Sequence, residues 1–145
     1  NIALVNNTIF NNASGGIVLG TDNTGFTVDY ITVSNNIIVN NGGPAISEQG
    51  RPGCIGTHNI TTHNLVEGSA TQLISLVSGS LAEHTMDVSP QFVNDTGDAS
   101  GNYHLQPASP AIGAGTSISV PPTDFDGNAR PQNGAFDLGA YQYMR

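Results

Sequence analysis

The chain has 145 residues, of which 37% are hydrophobic and only 10% are charged, and its formal net charge is −8. The basic side chains are three arginines, Arg51, Arg130 and Arg145, against 11 acidic residues. A nucleic-acid partner is therefore excluded, because phosphate binding requires a basic surface. Cys54 is the only cysteine, which excludes an internal disulfide, and no apolar run is long enough to span a membrane.

A segment of the sequence recurs along the first half of the chain. Residues 2–12 return as residues 31–41 and, in degraded form, as residues 60–68, so both steps are 29 residues long. In the third copy His63 replaces a valine or a serine of the earlier copies, and one residue is missing between Thr62 and Val66. A fixed period of this size is typical of a stacked solenoid, in which each repeat contacts only its neighbours.

Each copy contains three short apolar segments that predict strands. In the first copy, Ile2 and Leu4 alternate with small or polar residues. Ile9-Phe10 and residues 16–19 form the second and third segments. This period of two is a strand pattern. The repeats therefore predict an all-β chain, a parallel β-helix of about three coils of roughly 29 residues, and residues 73–77 predict one more pair of strands.

Pairs of asparagines separate the predicted strands. Asn7, Asn36 and Asn64 fall at equivalent bends in their copies. Asparagine tolerates the left-handed backbone conformation that tight bends require. In coils stacked about 4.8 Å apart, the side-chain amides would form a hydrogen-bonded ladder. The alternative interpretation is that these amides bind a sugar or a cation.

The character of the sequence changes near Met86, where the repeat stops and proline becomes frequent. We therefore divide the chain into coils at residues 1–85 and a C-terminal region at residues 86–145, which wraps or caps the coils as part of the same domain. The first repeat begins at Ile2 without a preceding cap, which suggests a piece of a longer protein. An open N-terminal coil would expose strand edges and favour self-association.

The C-terminal region carries a series of motifs in a recognisable order. They are residues 89–93, 101–105, 109–115, 124–131 and 136–143. In combination they resemble the C-terminal region of secreted bacterial right-handed parallel β-helix proteins of the pectate-lyase-like superfamily, including the choice-of-anchor type. The resemblance implies a right-handed β-helix with an irregular C-terminal cap, on a secreted or cell-surface protein that often handles polysaccharide.

A segment similar to the start of a calcium loop begins at Asp124, with the sequence Asp-Phe-Asp-Gly-Asn. Alternate carboxylates and a glycine turn supply some of the oxygen ligands that calcium requires. The later bidentate carboxylate of an EF-hand is missing, so an EF-hand is excluded. A simpler calcium site would join Asp124, Asp126 and Asp137. The alternative is an Asp-Gly turn, with Arg130 paired to a nearby carboxylate.

A second candidate site lies near the junction of the second and third copies. It comprises Glu48, Arg51, His58 and His63, around the loop of residues 50–56. Polysaccharide lyases of the superfamily use a basic residue to abstract the proton next to a uronate carboxylate, which makes Arg51 a candidate by resemblance. Histidine suits base catalysis better on pKa grounds. The alternative is a surface ion pair of Glu48 with Arg51, beside two solvated histidines.

Other polar and aromatic residues of the sequence bear on the type of reaction. Glycoside hydrolysis requires paired carboxylates a few ångströms apart. The carboxylates of the coils do not repeat in register on one strand face; they are Asp22, Asp29, Glu48 and Glu67. If the chain is an enzyme, a lyase-like reaction is therefore favoured over glycoside hydrolysis. Four tyrosines are candidate platforms for sugar stacking: Tyr30, Tyr103, Tyr141 and Tyr143.

Two functional classes follow from the sequence. The first is a carbohydrate-associated β-helix module, the C-terminal part of a larger secreted polysaccharide-acting protein, with polysaccharide or another glycan as partner. The second is a non-catalytic structural or self-associating surface module, such as a stalk, an adhesin segment or a cap. A groove with basic residues around Arg51 would favour the first class, and end-to-end dimers would favour the second.

Overall fold

The computed structural model describes residues 1–21, 23, 25–67, 74–75, 82–132 and 134–144. Thirteen strands and no helix occur among these residues, which confirms the all-β prediction. In chain order the strands are β1 (Ile2–Val5), β2 (Thr8–Phe10), β3 (Ile17–Thr21), β4 (Ile31–Ser34), β5 (Ile37–Val39), β6 (Ile46–Gly50), β7 (Ile60–Thr62), β8 (Leu65–Glu67), β9 (Ile74–Ser75), β10 (Ala82–Glu83), β11 (Met86–Asp87), β12 (Phe92–Asn94) and β13 (Asn102–Leu105).

Three parallel sheets run along the stack. The first sheet has the strand order β1-β4-β7-β10, the second β2-β5-β8-β11 and the third β3-β6-β9. Each repeat contributes one strand to each sheet, as in a parallel β-helix-like solenoid. Of the strand pair predicted at residues 73–77, β9 is described and the other residues lie outside the described part of the chain. The last two strands, β12 and β13, form a separate antiparallel pair.

The step between coils shortens by one residue after the second copy. Ile2 pairs with Ile31, but Ile60 pairs with Thr32. The alignment that equates Ile60 with Ile31 is therefore wrong, because the missing residue lies ahead of β7 and not after it. Asn59 lies opposite Ile31 and accepts its N–H at 3.1 Å. One residue of slip reverses the face of a strand, so Ile31 is buried whereas Ile60 is 48% exposed.

The left-handed bends between the first and second sheets fall on one column of residues. Their φ angles are 56°, 56°, 49° and 53°, at Asn6, Asn35, His63 and His84. The bends therefore lie one residue earlier than predicted. His63 occupies a bend and does not stand at the position of Ser34, which pairs with Thr62.

The predicted asparagine ladder is present in the next column of the stack. The side-chain Oδ1 of Asn36 accepts both the backbone N–H and the side-chain amide of Asn7 at 2.9 Å. Asn64 accepts the same two groups of Asn36 at 3.0 Å. A second ladder step joins Asn12 to Asn41 at 2.9 Å. These bonds are internal to the stack, which supports the structural interpretation of the asparagines.

Apolar side chains fill two spaces, one on each side of the second sheet. The inner cluster lies between the three sheets and includes Ile17, Leu19, Ile31, Val33, Ile38, Ile46 and Val66. Ile37, Val39 and Leu65 point the other way, because side chains alternate along a strand. The two central strands of the second sheet, β5 and β8, are therefore buried on both faces.

The C-terminal region covers the outer face of the second sheet. Its buried side chains include Phe92, Tyr103, Leu105, Ala111 and Leu138. The ring of Tyr103 stacks on Phe10 with centroids 4.2 Å apart, which ties β13 to β2. The region thus lies along the side of the stack, and part of the outer face of the first sheet stays open.

Candidate functional site

An open groove runs along the outer face of the first sheet. It consists of two adjoining cavities of about 310 Å³ and about 450 Å³, which share Ile60. Residues of the first cavity include Ala3, Tyr30, Thr32, His58 and Ser119. Residues of the second include Thr62, His63, Glu83, His84 and Ile118. We call this surface the first-sheet groove.

The strand register explains the floor of the first-sheet groove. Ala3 pairs with Thr32, and Thr32 pairs with Ile60, so the three side chains form one row along the stack. The neighbouring Val33 belongs to the inner cluster, and the row therefore faces outward. The floor of the groove is therefore a row of a small, a hydroxylated and an aliphatic side chain: Ala3, Thr32 and Ile60.

Asp29 and His58 form a polar pair at the edge of the groove, where His58 lines the first cavity. The Nδ1 of His58 lies 2.8 Å from one carboxylate oxygen of Asp29. The other oxygen accepts the backbone N–H of His58 at 2.8 Å and that of Tyr30 at 3.0 Å. The hydrogen bond with the His58 side chain is the largest effect on Asp29 and lowers the pKa of its carboxyl group.

Tyr30 directly follows Asp29 in the chain and contacts His58 of the next coil. Its ring lies parallel to that of His58, with an interplanar angle of 2° and centroids 4.5 Å apart. Tyr30 has a positive φ of 57°, a conformation that is uncommon for a residue with a bulky side chain. The bend places the ring at the edge of the groove, where it is 54% exposed.

His63 lies at the opposite end of β7 and packs against His84, with the two rings tilted by 31°. Their ring centroids are 4.6 Å apart, and Nδ1 of His63 lies 2.8 Å from the hydroxyl of Thr62. Burial, followed by the charge of His84, lowers the pKa of His63. His58 and His63 thus flank the groove from the two ends of one strand.

The four residues predicted as one cluster do not lie together. Glu48 is buried inside the coil, opposite Leu19 of the inner cluster, and its Oε1 lies 3.4 Å from the amide of Asn59. Arg51 lies on an exposed loop and lines a separate cavity of about 460 Å³ with Phe26. Glu48 and Arg51 therefore do not form the surface ion pair considered as the alternative.

The three aspartates of the calcium hypothesis also have separate roles. The carboxylate of Asp124 accepts the backbone N–H groups of Asp126, Asn128 and Gln142. Burial raises the pKa of Asp124, but these hydrogen bonds outweigh burial, so the net shift is downward. No group of three metal-binding side chains comes together among the residues that the structure describes.

Asp137 and Arg130 bond mainly to the backbone of the C-terminal region. Asp137 accepts the N–H groups of Gly113 at 2.7 Å and Tyr143 at 2.6 Å. The guanidinium of Arg130 donates to the carbonyls of Gly139 at 2.9 Å and Ala140 at 2.8 Å. Burial lowers the pKa of Arg130, and Asp124 and Asp137 partly oppose that shift. These two side chains therefore stabilise the turns of the C-terminal region through hydrogen bonds to its backbone.

Asp126 instead bonds a histidine of β13. The Nε2 of His104 lies 2.7 Å from Asp126, and its ring stacks on Tyr141 with centroids 4.0 Å apart. Burial, followed by the charge of Asp126, raises the pKa of Tyr141. Phe125 packs edge-on against Tyr141 and is 79% exposed. This aromatic cluster lies outside the first-sheet groove.

The sequence prediction missed that Asp29 and Tyr30 are the partners of His58. The spacing of 29 residues between Asp29 and His58 is a partial signal, because residues about one repeat apart lie on adjacent coils. The step between these two coils is 28 residues where Ile31 bonds Asn59, so Asp29 and His58 are one position out of register. The spacing alone therefore does not predict their hydrogen bond.

Comparisons of the chain with protein-family profiles, with curated proteins and with solved structures gave no match. The described part of the chain contains no helix with the length and hydropathy needed to cross a membrane. Function is therefore inferred from the geometry of the first-sheet groove.

Proposed function

We propose that this chain is a carbohydrate-associated module that binds a glycan along the first-sheet groove. We place it in a larger secreted or cell-surface protein that acts on polysaccharide. The proposed architecture is a right-handed parallel β-helix of about three coils with an irregular C-terminal cap. Right-handed crossovers are the form that parallel strands adopt in about 98% of known cases.

The stacked pair of Tyr30 and His58 is the observation that carries this proposal. The rings are nearly parallel, and Tyr30 is 54% exposed at the edge of the groove. Amphipathic aromatic rings suit a ligand that has both apolar faces and hydroxyl groups. Thr32 and Ser119 line the same cavity and supply hydroxyls that would fix the orientation of a sugar.

The charge distribution favours a neutral glycan. Glu83 lines the groove, and Asp29 bonds His58 at its edge. The described arginines lie elsewhere: Arg51 is on its loop, and Arg130 is buried within the C-terminal region. With a chain net charge of −8, a polyanionic polysaccharide would be repelled. The groove thus fits polymers of neutral sugars better than uronates.

Affinity electrophoresis against a panel of neutral and uronate-containing polysaccharides tests the proposal. We expect retardation by a neutral polymer, and a loss of affinity of about tenfold in Tyr30→Ala, equivalent to about 1.4 kcal/mol. Phe26→Ala is the matched control, because Phe26 is an exposed aromatic residue that lies outside the groove. Equal losses in both variants, or no binding by folded protein, would refute the proposal.

A self-associating module is the second candidate function. Among the described strands, β1, β2 and β3 lie at one end of their sheets, and Ile2 is 60% exposed there. Unpaired strand edges are templates for pairing with another chain. Sedimentation velocity over a wide range of protein concentrations tests this candidate. It predicts a concentration-dependent dimer, and a monomer at every concentration would contradict it.

A further inference from the structure

Two Asp–His pairs occur among the described residues. They differ in whether one or both ring nitrogens of the histidine bond another described residue. In the C-terminal pair, His104 has both ring nitrogens engaged, with Nδ1 2.6 Å from Asn102 Oδ1 and Nε2 2.7 Å from Asp126 Oδ2. In the groove pair, His58 uses only Nδ1, which lies 2.8 Å from Asp29 Oδ2. No described residue bonds Nε2 of His58.

Asp29 determines which nitrogen of His58 carries the hydrogen. Its carboxylate accepts the backbone N–H groups of His58 and Tyr30, and its lowered pKa keeps it ionised near neutral pH. An ionised carboxylate only accepts hydrogen bonds. Nδ1 of His58 is therefore the donor, and the lone pair of Nε2 stays available. A histidine held in this way is equipped to act as a general base.

We propose that the groove is also a hydrolytic site, in which His58 is the general base and Asp29 the positioning residue for hydrolysis of an O-acyl ester on a neutral glycan. The choice of a glycan ester rests on the proposed function, whereas the chemistry itself needs only an ester and water. His58 lines a cavity of about 310 Å³, which accommodates a small acyl group together with water.

The reaction balances with water as the only co-reactant. Nε2 of His58 takes a proton from water while the water oxygen forms a bond to the ester carbonyl carbon. The tetrahedral intermediate then breaks the bond between that carbon and the sugar oxygen, which receives the proton from Nε2. The products are a carboxylic acid and a sugar hydroxyl. Asp29 stabilises the imidazolium that exists between the two proton transfers.

An ester suits this site better than a glycosidic bond. Glycoside hydrolysis uses two carboxyl groups, about 5 to 9.5 Å apart, on either side of the bond. Here Asp29 is engaged with the histidine, and Glu48 is buried inside the coil. Attack on an ester carbonyl needs one base and a water molecule, which the cavity beside His58 provides room for.

Two substrates test the proposal together: 4-nitrophenyl acetate and acetylated xylan, with release of acetate as the second readout. We expect both to be hydrolysed, and His58→Ala to reduce kcat/KM at least about 100-fold. His104→Ala is the matched control, because it removes the other aspartate-paired histidine. We expect it to retain activity within about twofold. Equal losses in the two variants, or no His58-dependent rate, would overturn the proposal.

A comparison of kcat with KM tests the role of Asp29. Asparagine at this position still accepts the Nδ1 hydrogen but does not stabilise the imidazolium that forms during the reaction. Asp29→Asn is therefore expected to lower kcat at least about tenfold and to leave KM within about twofold. An unchanged kcat would contradict the positioning role of Asp29.

Ser119 lines the same cavity as His58, so its hydroxyl is the alternative to water as the attacking group. Attack by water forms no covalent acyl-enzyme, so we expect 4-nitrophenyl acetate to release 4-nitrophenol at a constant rate from the first turnover. An initial burst of 4-nitrophenol equal to the amount of protein would show an acyl-enzyme and would refute water as the attacking group.

The outcomes separate this inference from the proposed function. Binding of a neutral polysaccharide without hydrolysis of either ester would refute the hydrolytic site and support the binding module. Hydrolysis of 4-nitrophenyl acetate that depends on His58, without binding of any polysaccharide, would support the general base and refute the glycan-binding function.

Discussion

Asn64 holds the preceding coil at two points, because its Oδ1 accepts both the backbone N–H and the side-chain amide of Asn36 at 3.0 Å. Asn36 binds Asn7 in the same way. Both Asn36 and Asn64 are fully buried, so these bonds form away from water. The ladder therefore sets the coil register that builds the floor of the groove.

Removing the central step of the ladder should destabilise the stack strongly. Asn36→Ala leaves the N–H of Asn7 and the carbonyl of Leu4 without their partner. We expect a loss of about 3 kcal/mol in the free energy of unfolding, measured by urea denaturation. Asn94→Ala, at an exposed position of β12, is the control and should change it by less than about 0.5 kcal/mol. Similar values for both variants would contradict the ladder.

The register of β7 makes a second prediction. Ile31 lies in the inner cluster, whereas Ile60 lies on the floor of the groove and is 48% exposed. Ile31→Ala should therefore cost about 2–4 kcal/mol of unfolding free energy, and Ile60→Ala less than about 1 kcal/mol. Equal costs would instead support the alignment that equates the two isoleucines.

The period of the asparagines and aliphatic residues made the coils predictable from sequence. Ile9 and Ile38 recur with the Asn pairs beside them, and each repeat adds a strand to the same sheet. The slip at β7 was not predictable from this pattern, because isoleucine occupies position 60 in a strand where the inward residue is Thr61. Only the paired backbone identifies which side chain faces the core.

The carboxylate of Asp124 should make the free energy of unfolding depend on pH in the acid range. Its folded-state pKa lies below the usual 3.8, so its contribution is present above about pH 3.8 and is lost as the pH falls through the folded value. We expect Asp124→Asn to cost about 2 kcal/mol at pH 7 and less at pH 2.5, measured by urea denaturation. Asp87→Asn, at an exposed position, is the control. A cost that is independent of pH would contradict the assignment.

The titration of His63 should make the melting temperature depend on pH in a higher pH range than the titration of Asp124 does. Its folded-state pKa lies below the usual 6.5, so its contribution is present above about pH 6.5 and is lost as the pH falls through the folded value. His63→Asn removes this titration and keeps a residue that suits the bend, as at Asn35. We expect the variant to melt about 2–4 °C higher than the parent at pH 5 and at the same temperature at pH 8. Equal melting temperatures at pH 5 would refute this account.

The candidate site was less predictable than the coils. His58 and His63 were recognised as candidates, but Glu48 is buried because it pairs with Leu19 on the inner face of β6. Chain proximity grouped Glu48 with Arg51, whereas Glu48 faces inward on β6 and Arg51 lies on the exposed loop that follows this strand. The C-terminal region has no period, so its packing on Ile37 and Leu65 followed from tertiary contacts alone.

An NMR titration of isotopically labelled protein with a neutral oligosaccharide locates the proposed glycan site residue by residue. We expect chemical-shift changes that concentrate on Tyr30, Thr32, His58 and Ile60, which line the first cavity, and that disappear in Tyr30→Ala. Shift changes confined to Phe125 and Tyr141, or none at saturating oligosaccharide, would contradict a glycan site in the first-sheet groove.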